Sequence, residues 1–495
     1  MKKNLKILTI IFSFSTLFSK PDKPNIIYLM CDELAYYELS HMGNTKIKTP
    51  NIDRFAREGL RFTNALAASP VCGPLRCNLL TGKHAGHSSV RVNDGGTPLR
   101  ADEVTIATLL KERGYETGGY GKWGCGGRGS TGVPEKHGFD EFFGYYDQVH
   151  AHTFYPPYLI RNSKEVPLVG NNGGRSGKTY SHYRIFEEAI TFIKNNQKKP
   201  FFCYLPFTPP HGMFDVPREE PAWKLYEKEA WMKDPSVPQD AKNYAVMVSM
   251  IDRQLGEIIA LIKQLRLEEL TAIFFTGDNG GQDRFKNQEH PRGYFGPNVC
   301  PNTGVEFRGE KRDLYEGGLR IPFLVRWPGH VSSGGISNLV FYQPDVLPTI
   351  SNLCGARVPP DIDGISIAPT LIGAEMAGRS QKRHQMLYWE YSSQVAVRYN
   401  QWKAIKTAKG KKSDWALYNL DTDISETKDL AREQPAILST MKDFALKSHK
   451  PARPGVFTET SRTKHNRDRQ AKFGFSAKAT QINSKSQKQK QNKKK

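Results

Sequence analysis

The chain alternates short apolar runs with segments whose apolar residues recur at helical spacing. Asn25-Ile-Ile-Tyr-Leu-Met30 is apolar throughout after Asn25, which predicts a strand buried on both faces, and it runs out into Asp32-Glu33. Thr49-Pro50 supplies an N-cap and a first-turn proline for a helix that ends at Glu58, before Gly59. A second helix spans Thr105 to Arg113, and the strand Glu116 to Tyr120 then delivers Lys122. Ile185 to Asn195 is helical, and Pro200 to Phe207 is a strand leading to His211. The long helix Ala241 to Leu265 precedes the strand Leu270 to Thr276, which delivers Asp278 and Asn279, and Arg320 to Trp327 is a further strand. Strands alternating with helices predict an α/β fold, a mostly parallel sheet flanked by helices on both sides. In such sheets ligands bind beyond the C-terminal strand ends, where the acids, Lys122 and His211 collect.

From about Ala377 the rhythm changes. Met386 to Glu390, Val395 to Tyr399 and Trp402 to Thr407 predict short antiparallel strands, and Gln434 to Lys447 a helix. The expected organisation is a catalytic domain over residues 24–376, a smaller C-terminal α+β subdomain over 377–453, and a basic tail over 454–495. That tail has too few large apolar groups to offset its ordering entropy and is expected to be disordered. Residues 1–19 form an expected signal peptide, with Lys2, Lys3 and Lys6 ahead of the apolar run Ile7 to Phe18, too short to span a bilayer. No later run reaches spanning length, so a periplasmic or secreted protein without a transmembrane domain is expected.

Charge modifies this picture only in part. The formal net charge is +21, but residues 461–495 hold twelve Lys or Arg against Asp468 alone, a net +11 that leaves +10 for the rest. The balance suits polyanionic surroundings or substrate, and no nucleic-acid-binding signature accompanies it, so no specific nucleic-acid partner is expected. The seven Cys are odd in number and show neither a CxxC pair nor zinc-finger spacing.

Ser69-Pro-Val-Cys-Gly-Pro-Leu-Arg-Cys-Asn-Leu-Leu-Thr-Gly82 is the segment richest in candidate chemistry. Cys72 precedes Pro74 by two residues, and Pro74 is suited to open a helix to Leu80. A group at position 72 then faces unpaired N–H groups and the positive helix end, with Arg76 one turn on. Such a position is preset for anionic substrates; a structural loop cysteine fits the same residues.

Cys72-x-Pro74-x-Arg76 followed by Leu80-Thr-Gly82 resembles the signature of type I, formylglycine-dependent sulfatases of the alkaline-phosphatase-like superfamily. The resemblance runs from Pro24 to about Leu430. Pro24-Asn-Ile-Ile27, Thr49-Pro-Asn-Ile-Asp53, Gly121-Lys-Trp123, Thr276-Gly-Asp-Asn-Gly280, Lys311 with Tyr315-Glu-Gly-Gly318, Asp363-Gly-Ile-Ser366 and Leu417-Tyr-Asn-Leu420 all match in order. It implies a sulfuric ester hydrolase in which a formylglycine-generating or maturase enzyme oxidises Cys72 to formylglycine, whose hydrate attacks sulfur. It further implies one Ca²⁺ ion held by Asp32, Glu33, Asp278 and Asn279 next to residue 72. Hard oxygen donors without thiolate suit Ca²⁺ or Mg²⁺ over zinc. Arg76, Lys122, His211 and Lys311 would surround the sulfate.

Three residues depart from the family pattern. Leu75 stands where a small residue is usual, Glu33 where Asp is usual, and Gly124 where many members carry a catalytic His after Gly-Lys-Trp. His150 and His152 of Gln148-Val-His-Ala-His152 are the candidate replacements, in a loop whose aromatics (Tyr145, Tyr146, Phe154, Tyr155) suit stacking on sugar rings. The substrate expected is a sulfated polysaccharide or glycosaminoglycan, with galactose or N-acetylgalactosamine sulfates as candidates. The alternatives are a phosphoric ester hydrolase of the same superfamily and an inactive glycan-binding relative.

Overall fold

The apolar run from Asn25 becomes β1 (Asn25–Asp32), and all eight of its residues are buried. The reason is its place. β1 pairs in parallel on both edges, with β8 (Phe201–Pro210) and β9 (Thr271–Gly277), so neither edge nor face meets water. A computed structural model describes residues 23–93, 97–407, 414–453 and Asp468. The expected leader at 1–19 lies outside the described residues, as does the expected tail apart from Asp468.

The central sheet has ten strands in the order β11-β2-β10-β9-β1-β8-β4-β5-β6-β7. Its remaining members are β2 (Leu60–Phe62), β4 (Glu116–Lys122), β5 (Glu141–Tyr145), β6 (Tyr158–Arg161), β7 (Lys164–Pro167), β10 (Phe323–Arg326) and β11 (Gly335–Ser337). The middle, β9 to β5, is parallel. Towards the edges β10 runs antiparallel to β9, and β6 and β7 are also antiparallel, as outer strands of large mixed sheets often are. A separate parallel pair joins β3 (Ala65–Leu66) to β12 (Phe341–Tyr342).

Helices cover both faces, and β1 shows how. Its alternate residues Ile26, Tyr28 and Met30 join the core beneath α2 (Cys72–Thr81), α3 (Ile106–Glu112) and α8 (Val346–Leu353). Ile27, Leu29 and Cys31 join the core beneath α1 (Pro50–Glu58), α4 (Ser181–Asn195) and α6 (Gln239–Gln264). Thr105 starts α3 with a reciprocal capping box to Thr108. Thr49 precedes α1 without capping it by a side-chain bond; its hydroxyl donates to Asp53 (3.0 Å). α5 (Ala230–Lys233), α7 (Glu316–Leu319) and α9 (Ala368–Ile372) are short connectors.

The C-terminal region is a four-stranded antiparallel meander, β13 (Leu387–Tyr391), β14 (Gln394–Tyr399), β15 (Trp402–Lys406) and β16 (Trp415–Asn419). The strand β16 was not anticipated from the sequence. α10 (Pro435–Ser448) lies across the sheet and buries Met441 and Ala445 against Tyr388, Val397, Ala404 and Leu417. Several side-chain ties hold this unit to the rest of the molecule, among them two from buried residues. Trp389 Nε1 donates to Ala67 O (2.7 Å), and buried Lys403 reaches both Glu316 (2.9 Å) and Glu426 (3.0 Å). Asp468, in the expected tail, is buried too, and accepts bonds from Arg128 and from the Tyr158 hydroxyl. None of the seven Cys is disulfide-bonded; Cys77 and Cys125 touch, Sγ to Sγ, beneath α2.

Candidate active site

The parallel strands deliver their polar ends to one place. Asp32 closes β1 and Lys122 closes β4, while His211 follows β8 and Asp278 follows β9. Glu33 takes the left-handed conformation (φ 59°), costly for a residue with a Cβ, and its N–H donates to Asp278 Oδ1 (2.9 Å). The helix α2 starts at Cys72 itself, two residues earlier than Pro74 predicts, with Val71 as its N-cap. Pro74 then occupies the third helical position, where an N–H would have no intrahelical partner. Cys72 therefore stands on the first turn, where Pro74 has no N–H to offer and the Gly73 N–H is taken by Asn93 Oδ1 (3.0 Å).

Its surroundings are buried and highly charged. Cys72 Sγ lies 3.3 Å from Asp32 Oδ1 and 3.6 Å from Lys311 Nζ. Lys122 Nζ donates to Asp32 Oδ2 (2.5 Å). Arg76 reaches Asp278 Oδ2 (3.1 Å) and Asp32 Oδ2 (3.4 Å), while its other nitrogen donates to Lys122 O (2.6 Å). His211 Nε2 stands 3.2 Å from Glu33 Oε1 and 3.4 Å from Lys311 Nζ. Lys311 and Arg284 also contact the Glu33 carboxylate. Thus Cys72, Arg76, Lys122, His211 and Lys311 share one cluster with Asp32, Glu33, Asp278 and Asn279, whose backbone N–H donates to the Asp278 carboxylate (2.7 Å).

These neighbours set the protonation states. Burial alone would raise Asp32, but Lys122, His211 and Arg76 outweigh it and hold the carboxyl far below its ordinary value. Asp278 goes the other way: burial and the adjacent Asp32 charge push it up. Burial, then Asp32, raises the Cys72 thiol, so an unmodified Cys72 is a neutral thiol and a poor nucleophile. Lys122 loses to burial but gains more from Asp32 and Cys72, and stays charged.

The donor set fits a hard cation. Asp32, Glu33, Cys72 and His211 offer ligand atoms within 4.8 Å of one another. The Asn279 side-chain oxygen is buried with no hydrogen-bond partner, although its amide nitrogen donates to Gly280 O (2.9 Å). An orphaned amide oxygen beside three carboxylates matches the oxygen coordination of Ca²⁺ or Mg²⁺.

His150 does not belong to the site. It is fully buried between Tyr145 and Tyr158, its Nε2 3.1 Å from Tyr158 O, and burial takes its pKa down to about 3. Tyr145, Tyr146, Phe154 and Tyr155 are likewise buried and offer no sugar platform; the Tyr145 hydroxyl is bonded to Thr153 O and Ser181. In this segment the aromatic and imidazole rings build the core beside β5 and β6. His152 stays near the site, with its ring centroid 4.4 Å from that of His211.

Gln148, from the same segment, is the residue that fills the space at Gly124. A Cβ on Gly124 would stand 1.9 Å from Gln148 Nε2, and Gly124 itself has φ +77°. The same nitrogen lies 3.3 Å from a Cβ position on Gly73, next to Cys72, and Gln148 Oε1 is buried without a partner. The departure at Gly124 thus comes with an amide in place of an imidazole. Leu75 is buried in the core, away from the charged cluster. Arg284 and Gln343 complete the site without having been singled out from the sequence. Gln343 Nε2 donates to Gly277 O and Asp278 O (both 3.2 Å), which fixes the turn after β9.

Comparison with known proteins identifies the family. Residues 24–356 match the family model for sulfatases, and residues 307–448 match one described as N-sulphoglucosamine sulphohydrolase, C-terminal. The chain is 30% identical to N-acetylgalactosamine-6-sulfatase of Canis lupus familiaris over 414 residues, covering 78% of this chain and 72% of that one. It is 28% identical to N-acetylgalactosamine-6-O-sulfatase of Bacteroides thetaiotaomicron, covering 85% and 92%. A solved structure of Ps i-CgsB in complex with k-i-k-neocarrahexaose superposes with a TM-score of 0.72 at 28% identity, covering 90% of this chain and 97% of that one. A family match over most of the chain, on a fold that gathers the charged strand ends around Cys72, means that this protein belongs to the sulfatase family.

Proposed function

We propose that this sulfatase is exported, releases sulfate from a sulfated glycan, and works through formylglycine made from Cys72 and one bound Ca²⁺. The observation that carries the reading is the seat of Cys72, on the first turn of α2 between Asp32 (3.3 Å) and Lys311 (3.6 Å), with Arg76 and Lys122 buried behind it. Oxidation by a formylglycine-generating or maturase partner would supply a hydrated aldehyde as nucleophile, and a cation held by Asp32, Glu33, Asp278 and Asn279 would favour its deprotonation.

The protein's own groups account for the rest. Arg76 and Lys122 keep Asp32 ionised and offset negative charge on the sulfuryl oxygens. The positive end of the α2 dipole adds to this field at residue 72. Lys311 and His211, 3.4 Å apart at the open side, are the donors for the departing alkoxide oxygen. The relatives named for N-acetylgalactosamine 6-sulfate, together with the +10 charge outside residues 461–495, support an anionic glycan as substrate. Export accords with the N-terminal sequence, and among the described residues no helix is long and apolar enough to cross a membrane.

The test is mass spectrometry of the Cys72 peptide from the native host, with an aldehyde-reactive hydrazide. It is paired with turnover of an aryl sulfate beside the matching aryl phosphate. An aldehyde at 72 with sulfate preferred is the expected result. A free thiol throughout an active preparation refutes the formylglycine, and preferred phosphate refutes the ester class. Tight glycan binding without sulfate release would mark an inactive relative.

A further inference from the structure

With the aromatics near His150 buried, the sugar chain needs another surface. The meander offers one. In its strand register Glu390 stands opposite Val395, Val395 opposite Lys406, and Lys406 opposite Trp415. These four residues form one row across all four strands, and every one of them lines the same cavity of about 540 Å³. The facing wall is one side of α10, where Lys442, Ala445, Leu446 and His449 recur at helical spacing. This volume falls within the range of about 300–1,000 Å³ typical of ligand sites.

The lining of the cavity is tied to the segment around residue 72 on two sides, and Tyr391 belongs to that lining. Gln394, also in the lining, donates to Arg312 O (2.8 Å), and Arg312 follows Lys311 and is bonded through its own N–H to Pro70 O (3.0 Å). On the other side Arg91 and Val92 line it, and the next residue, Asn93, accepts a bond from Gly73 N (3.0 Å).

Its chemistry selects an anionic sugar. The acid in the cavity, Glu390, is already bonded by Arg91 (2.9 Å), His449 (2.6 Å) and the Tyr388 hydroxyl (2.7 Å). Lys406 and Lys442 pair with no acid among the described residues, so two ammonium groups face the cavity uncompensated. Trp415 and Tyr391 add partly exposed rings of the kind that stack on the apolar face of a pyranose. We infer that this cavity binds a neighbouring residue of the glycan chain, one bearing sulfate or carboxylate, while its partner residue presents the scissile sulfate at Cys72. The inference rests on the proposed glycan substrate.

The probes are a chondroitin 6-sulfate tetrasaccharide and a sulfated galactan tetrasaccharide, each beside its desulfated form, with the full chain. Binding is measured by calorimetry and turnover on whichever is cleaved, with 4-nitrophenyl sulfate as the small substrate. Lys406→Glu/Lys442→Glu should weaken binding of a sulfated tetrasaccharide, and raise its KM, at least tenfold. Turnover of 4-nitrophenyl sulfate should stay within twofold. Trp415→Ala should act in the same direction on the oligosaccharide. Unchanged oligosaccharide affinity in the charge-reversal variant overturns the inference. So does equal loss on both substrates, or equal wild-type affinity for the desulfated galactan, which carries no anionic group. Should the wild type release no sulfate, the proposed activity fails, while the binding measurements still decide whether the cavity takes an anionic sugar.

Discussion

Gly124→His tests the geometry that most separates this site from its family. A side chain at 124 meets two obstacles. The backbone there has φ +77°, which costs a non-glycine residue about 1–2 kcal/mol. The Cβ would also stand 1.9 Å from Gln148 Nε2 and 3.4 Å from Arg76 Cδ. Gln148 is flexible at its tip but buried, and the void beside it holds only about 10 Å³, so the amide has little room to retreat. Overpacking of this kind costs about 1–3 kcal/mol. The two terms together give about 2–5 kcal/mol, and with unfolding entropy scaling with chain length the melting temperature should fall by about 1 °C per kcal/mol. The assay is calorimetric unfolding of wild type, Gly124→His, Gln148→Gly and the double variant. Removing Gln148 relieves the clash but not the backbone strain, so the double variant should be more stable than additivity predicts by about 1–3 kcal/mol. Strict additivity, or a Gly124→His protein as stable as wild type, would show that Gln148 does not fill the place of the missing imidazole.

Three further outcomes are expected. Chelation should abolish sulfate release and Ca²⁺ should restore it; added Ca²⁺ should also raise the melting temperature, by about 2.7 kcal/mol of stability at a hundredfold excess over Kd, and Asn279→Ala should blunt that rise. His150→Phe should leave aryl sulfate turnover within twofold, because His150 only fills the core between Tyr145 and Tyr158, whereas His152→Ala should lower turnover through His211; a large loss in His150→Phe would return that residue to the reaction. Lys403→Met strips the buried Glu316 and Glu426 of a shared cation and should cost about 3–5 kcal/mol in denaturant unfolding. Burial would raise Glu316, but Lys403, Arg320 and Arg398 hold it well below its ordinary value. The stability it contributes is thus present above the unfolded carboxyl range and is lost as pH falls below about 4, and the variant should lose less than wild type over that acid interval.

What could be read in the sequence, and what could not, divides along physical lines. The ends of β1, β8 and β9 were legible because an apolar run buried on both faces is unmistakable, and a polar or charged residue at its end is out of place unless it serves a site, whereas β4 is rich in glycine and was legible through Gly121-Lys-Trp123. The direction of β10 was not legible: three apolar residues and an arginine look the same in a parallel or an antiparallel strand. His150 and Tyr145 were misjudged for a related reason. A ring in a polar loop and a ring in a core have the same letter, and only burial tells them apart. Gln148 was invisible in another way, since its role follows from the volume left by an absent side chain 24 positions earlier in the chain.

The cavity on the meander carries that reasoning furthest. Glu390, Val395, Lys406 and Trp415 have no common spacing, and no motif joins them. They become a row only because three hairpin registers bring them abreast, and a shift of one residue in any strand would send its member to the opposite face. The catalytic cluster uses residues that the family pattern requires at fixed places after each strand. The row on the meander depends on register alone, and it can therefore change from one sulfatase to another without disturbing the chemistry at residue 72. If the cavity seats the neighbouring sugar, bond cleavage stays with the ends of the parallel strands and the choice of glycan falls to the meander and α10.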